Sequence, residues 1–240
     1  MEKIIEIIIR GIVVLICITV HEFFHGYSAY KLGDDTAKRA GRLTLNPIKH
    51  IDPIGTLMLF IARFGWAKPV PVNPYNFANM KKDMALTALA GPASNFIMAI
   101  ISALLLGSIM NLNIETIRSL NEVSTNHFQA IMMNFSSTFT IAQIPLILWV
   151  VYFFYSMILY NIALGLFNLL PFPPLDGSKI LGGFMPDDMY FRWMSFEQKG
   201  AYLLMIILII GFIFKIPLLG MIIWPPLEFI LDFLLKFAMN

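Results

Sequence analysis

Two long stretches of this chain carry no Asp, Glu, Lys or Arg: residues 84–114 and residues 123–175. A span across a bilayer needs about 20 mostly apolar residues, since a helix or a closed barrel alone satisfies its own backbone in lipid. Both stretches exceed that length. The rest of the chain agrees: 58% of its 240 residues are apolar, 13% are charged, and the mean hydropathy is +0.73. A soluble domain of this size has too little interior to hide so much apolar surface. The net charge of +2 is too small to point to a nucleic-acid partner, and one cysteine excludes a disulfide scaffold or a cysteine-rich zinc finger. The reading is an all-α polytopic membrane protein whose partner is the lipid bilayer, and its few polar residues carry the information.

The first expected span runs from Ile4 to about Tyr30, the second from Thr87 to Met110 and the third from Ile141 to Leu169. The N-terminal segment lacks a basic leader and a small-residue cleavage site, so it reads as a span and not a signal peptide. Gly200–Trp224 is long enough to cross, but Lys215 interrupts it. Glu228, Asp232 and Lys236 then fall four apart, as on an interfacial helix, although a further span from near Ile216 fits as well. Additional C-terminal helices are expected over about 197–238. One membrane-embedded domain is expected over 1–240, with its core at about 5–185.

Between spans one and two, residues 31–83 hold nine of the 17 Lys and Arg residues. Lys179, Arg192 and Lys199 follow the third span, whereas the loop 111–140 carries Arg118 as its one basic residue. The positive-inside rule places 31–83 and 171–199 in the cytoplasm. The apolar run Ile54–Ala62 is too short to cross, and Gly65, Pro69, Pro71 and Pro74 follow it. This pattern predicts a short membrane-associated β-hairpin over 54–73.

Span one ends in His21-Glu22-Phe23-Phe24-His25. Residues four apart lie on one helical face, so two imidazoles there can hold one zinc ion, with the Glu as base on its water. His25 stands six residues before Lys31 and His21 ten, roughly 9 and 15 Å into the bilayer. Ionisable groups at that depth point to function. A catalytic zinc takes three protein ligands. Span three returns the chain to the side of His21 and His25, and Pro171, Pro173 and Pro174 there let it bend before Asp176. Asp176 is the expected third ligand, although it also reads as a helix N-cap. His50 and Asp52 are the rivals, nearer the surface.

These residues resemble the site-2 proteases, the family of intramembrane zinc metalloproteases, in the short form without added soluble domains. His21–Ala29 fits H-E-x-x-H-x-x-x-A, Asn168–Gly177 fits N-x-x-P followed by L-D-G, and Gly91–Asn95 fits G-P-x-x-N. Leu45–Gly55 and Trp66–Val72 are similar to the cytosolic loop of short bacterial and archaeal members. The resemblance implies a three-helix core around one zinc ion, recessed below the cytosolic face of a prokaryotic cell membrane. It implies hydrolysis of peptide bonds within or near transmembrane segments of a membrane protein or peptide substrate. It leaves room for a second copy of the chain or a regulatory membrane partner. Asn95 and Asn168 would bind the substrate backbone or the oxyanion, or tie helices together.

A substrate must be extended at the zinc, because a helix hides its carbonyls. Val70 and Val72 alternate with prolines, as an edge strand that a substrate could pair with would. The competing readings are an ion or small-solute transporter, whose usual inverted repeat is not seen in this chain, and an inactive scaffold of the same fold.

Overall fold

The structure is a computed structural model that describes residues 2–62, 65–112, 125–135 and 145–239. Its α-helices are α1 (Glu2–Lys31), α2 (Thr36–Arg39), α3 (Pro53–Ala62), α4 (Met80–Met110), α5 (Thr125–Met133), α6 (Leu146–Leu169), α7 (Asp176–Phe184), α8 (Asp187–Ser195), α9 (Glu197–Phe214) and α10 (Leu218–Met239). Short 3-10 turns occupy Pro47–His50 and Pro74–Asn76. Arg118 and most of the expected outer loop lie outside the described residues, as do residues 141–144 at the expected start of the third span.

Among the described residues, four helices are long and apolar enough to cross a membrane: Lys3–Lys31, Met80–Met110, Leu146–Leu169 and Leu218–Ala238. The pair α8 and α9, bent by 52°, is a fifth candidate when counted as one broken span. The chain is therefore a multi-pass membrane protein. At the C-terminus the alternative beginning near Ile216 is met by α10. Lys215, at φ 56°, ends α9 in the left-handed conformation, and α10 then absorbs Pro225 and Pro226.

α1 ends in a Schellman motif. Gly33, at φ +108°, takes the left-handed position that favours glycine. The Asp34 amide then reaches back to the Ala29 carbonyl at 2.9 Å and the Gly33 amide to that of Tyr30 at 3.3 Å. Lys31 in the last turn complements the helix dipole.

The β-hairpin expected over 54–73 is not present. Residues Pro53–Ala62 form a helix, and the described residues hold no sheet, the Ile51–Ala67 antiparallel bridge being isolated. The reason lies in Asp52-Pro53. The Asp52 carboxylate accepts the Ile54 and Gly55 amides, each at 2.8 Å, and Pro53 starts the helix at the position where its missing N–H costs nothing. Gly55 lets α3 lie directly on the Trp66 backbone, which a Cβ there would strike. Beyond Ala67 the chain has no regular structure until Pro74: Asn73 is extended, and the prolines at 69, 71 and 74 favour extended backbone at Lys68, Val70 and Asn73.

The chain divides into two compact units. One comprises Met1–Cys17, Phe96–Ala163 and Pro225–Asn240. In it the half-buried Arg10 guanidinium pairs with Glu6 and donates to the Tyr152 hydroxyl at 2.5 Å, an arrangement that satisfies the buried Glu6 carboxylate on an apolar helix. Tyr152 stacks on Phe135 at 4.6 Å, and Gly107 admits the backbone of Ala238. The other unit comprises Ile18–Asn95 and Leu164–Trp224, and it contains every candidate site residue.

Candidate metal centre

His21 and His25 stand one turn apart on α1, with their rings perpendicular and their centroids 4.5 Å apart. Their Nε2 atoms are 2.9 Å apart. Each ring is oriented from behind by α4. His25 Nδ1 faces the Thr87 carbonyl at 2.7 Å, and His21 Nδ1 faces the Asn95 side-chain oxygen at 2.6 Å. Both partners are acceptors, so each Nδ1 carries the proton and each Nε2 presents a lone pair.

The third group arrives from α7. Asp176 is its first helical residue, following Leu175 at the N-cap, so the capping role falls to neither side chain. Asp176 Oδ2 lies 3.2 Å from His21 Nε2 and 3.1 Å from His25 Nε2. This oxygen is buried and finds no hydrogen-bond donor.

Three lone-pair atoms thus converge with no proton among them. A tetrahedral ion with nitrogen and oxygen ligands at about 2.0–2.1 Å sets those atoms about 3.3 Å apart. The observed edges of 2.9, 3.1 and 3.2 Å are close to that triangle. The residues therefore fit a divalent metal ion, and among the described residues His21, His25 and Asp176 are the one group of this kind. The rival ligands are engaged elsewhere: His50 Nε2 bonds the Thr44 carbonyl at 2.8 Å, and Asp52 caps α3.

The packing around the triad is close. A Cβ on Gly91 would run into both imidazoles. Gly183 packs against Ala85, while Lys81 Nζ donates to the Met185 carbonyl at 2.5 Å and pairs with Asp187 at 2.7 Å. These contacts tie α7, and Asp176 with it, to α4.

A cavity of about 450 Å³ opens over the triad. Glu22 lines it, and its Oε2 accepts the Val70 amide at 2.8 Å. Val70, Val72 and Asn168 line it too, as does the ion pair of Lys179 with Glu197 at 3.4 Å. Asn168 donates its amide to the Leu164 carbonyl one turn back, at 3.0 Å. The Val72 side chain packs on the cluster of Ala29, Phe77 and Met84. Sequence reasoning missed Thr87, Lys179 and Glu197. For Thr87 no signal exists, because its carbonyl does the work and every residue has one.

Apolar spanning helices around a metal-fitting triad define a membrane metalloprotein. The family model described as Peptidase family M50 matches residues 10–213, and the chain belongs to that family, the site-2 proteases. It is 37% identical over 225 residues to a Bacillus subtilis protein named "Putative zinc metalloprotease YwhC", covering 94% of this chain and 88% of that protein. It is 34% identical over 98 residues to a Mycobacterium tuberculosis protein named "Putative zinc metalloprotease Rip2", covering 39% of this chain and 37% of that one. A Mycolicibacterium smegmatis protein of the same name is 32% identical over 99 residues, 40% of this chain and 38% of that protein. No solved structure matches. The chain is a zinc metalloendopeptidase of the membrane, which sets aside the transporter and the inactive scaffold.

Proposed function

We propose that the protein hydrolyses peptide bonds within or near transmembrane segments, with His21, His25 and Asp176 holding one zinc ion and Glu22 serving as the base. One observation carries this reading. Three lone-pair atoms and an adjacent carboxylate meet near the basic end of an apolar helix long enough to cross a membrane. The nine basic residues of 31–83 support a cytoplasmic position for that end by the positive-inside rule.

A zinc ion held there supplies a Lewis acid for the scissile carbonyl and lowers the pKa of the attacking water. The rest falls to the chain. Glu22 accepts the water's proton as the new C–O bond forms, then delivers it to the departing amine as the C–N bond breaks. The Val70 amide fixes one Glu22 oxygen and leaves the other for that proton. Asn95 keeps the His21 ring in its lone-pair-inward tautomer. Asn168 lies on the cavity wall, where its amide can meet substrate backbone or the oxyanion.

The extended segment 68–73 is the edge on which the substrate strand lies. Among the described residues none bonds the Val72 amide, so that donor is available to a partner strand. The substrate is drawn out of its helix as it pairs.

The test is proteolysis of a single-span peptide in detergent. Glu22→Gln should lose at least about 100-fold in rate with zinc retained. Asp176→Asn should lose both zinc and cleavage. Wild-type rates in either variant overturn the assignment.

A further inference from the structure

We propose that Asp34 is a positioning residue for the reaction: through the Asn73 amide it sets where the edge 68–73 lies over the metal centre. The proposal rests on the reading of that edge as the substrate's pairing strand.

Asp34 is fully buried, although it follows α1 in a loop. Its two oxygens have different tasks. Oδ1 accepts the Thr36 amide at 3.1 Å, the Thr36 hydroxyl at 2.5 Å and the Asn76 side-chain amide at 2.7 Å. Oδ2 accepts the Asn73 backbone amide at 2.7 Å. A buried carboxylate needs such donors to stay ionised, and here four of them converge.

Among the described residues no sheet flanks the segment it grips, the Ile51–Ala67 bridge being isolated. Apart from the turn that Asn73 makes with Tyr75 and Asn76, three other bonds hold it. The Lys68 amide donates to the His50 carbonyl at 2.9 Å, the Arg42 guanidinium donates to the Lys68 carbonyl at 2.7 Å, and Glu22 takes the Val70 amide at 2.8 Å. Pro69 and Pro71 have no amide to add. Asp34 is therefore the anchor at the C-terminal end. Glu22 lies on α1 itself, and Asp34 is bound to its last turn by the Schellman hydrogen bond to Ala29. The middle and the end of the edge are thus referenced to the helix that carries His21 and His25. An edge left loose at that end costs an arriving strand part of its pairing energy, which is read in KM.

Asp34→Asn separates the two tasks. Its carbonyl oxygen can replace Oδ1, whereas its NH2 group would face the Asn73 amide, donor against donor. Only the grip on the strand is lost. The experiment uses the zinc-loaded full chain in detergent and a fluorogenic peptide with an apolar transmembrane segment. Asp34→Asn should raise KM about tenfold, with kcat within about twofold of wild type and zinc near one per chain. Val72→Pro, which deletes the free strand donor, should also raise KM. An unchanged KM in Asp34→Asn beside a raised KM in Val72→Pro overturns the role of Asp34 and leaves the pairing edge standing. An unchanged KM in both overturns the two together. Lost zinc, or a fall in kcat at constant KM, places Asp34 in the metal centre or the fold instead, and also overturns the proposal. Should Asp34→Asn not accumulate, Asn76→Ala takes its place, since it removes one donor that orients the carboxylate. A KM raised about two- to threefold supports the proposal; an unchanged one overturns it.

Discussion

The Nε2 atoms of His21 and His25 face each other at 2.9 Å, and each ring has already committed its proton to the far side, at Asn95 and at Thr87. Two lone pairs so close, with a carboxylate oxygen 3.1–3.2 Å from both, repel in the absence of a cation. Chelation should therefore destabilise the protein as well as inactivate it. Zinc at a hundredfold excess over its Kd adds about 2.7 kcal/mol, so Tm should fall by several degrees in a chelator and recover on adding zinc. A Tm indifferent to zinc would contradict the placement of the ion.

Gly91 and Gly11 make a paired test. A methyl on Gly91 meets both imidazoles, whereas one on Gly11 meets nothing within 4 Å. Gly91→Ala should lower bound zinc well below one per chain and cut the rate at least about tenfold. Gly11→Ala should leave both unchanged and raise stability by up to about 1 kcal/mol through helix propensity. Metal analysis and thermal unfolding of the two variants decide.

Asn95 is fully buried and its oxygen receives the His21 proton. Asn95→Leu should weaken zinc binding about 10- to 100-fold, the usual cost of deleting an outer partner of a metal ligand. Asn95→Asp keeps an acceptor at that point and should retain more zinc than Asn95→Leu. Competition with a calibrated chelator measures this, and equal affinities in both variants would show that the bond does not orient the ring.

Asp34 titrates below its ordinary value of 3.8: burial raises it, but bonds from Thr36, Asn73 and Asn76 outweigh burial. The folded pKa is the depressed one, so the stability it contributes is complete above the unfolded pKa. It is lost as pH falls from there through the folded pKa. Unfolding in detergent should become easier between about pH 5 and pH 3, and Asp34→Asn should flatten that dependence. Parallel slopes in the two proteins would count against it.

The first three spans, the paired histidines and the arrival of Asp176 were legible, because charge is scarce in this chain and each exception to the scarcity stands out. The topology of three spans was enough to return Asp176 to the side of His21 and His25. The hairpin misreading shows where pattern fails. Ile54–Ala62 is a short unbroken apolar run, and such a run has no period by which to choose strand or helix. Asp52-Pro53 held the answer as a helix-start signal, but the glycine and prolines beyond residue 64 outweighed it in the reading. Those prolines act on the next segment, 68–73, where they favour extended backbone. Asp34 was invisible for another reason. Asp34-Asp35-Thr36 after a helix reads as a solvated turn, and only the fold brings Asn73 and Asn76 to it.

The charges around the cavity obey a further condition. Lys179 cancels Glu197, the two histidines are neutral in the tautomer described, and Glu22 and Asp176 remain, each with one negative charge. A dication brings that sum to zero, whereas a monovalent or trivalent ion leaves a net charge among apolar helices, where charge is costly. A dication thus offsets the two carboxylates beside it, so the charge of the ion and the charge of its walls are matched.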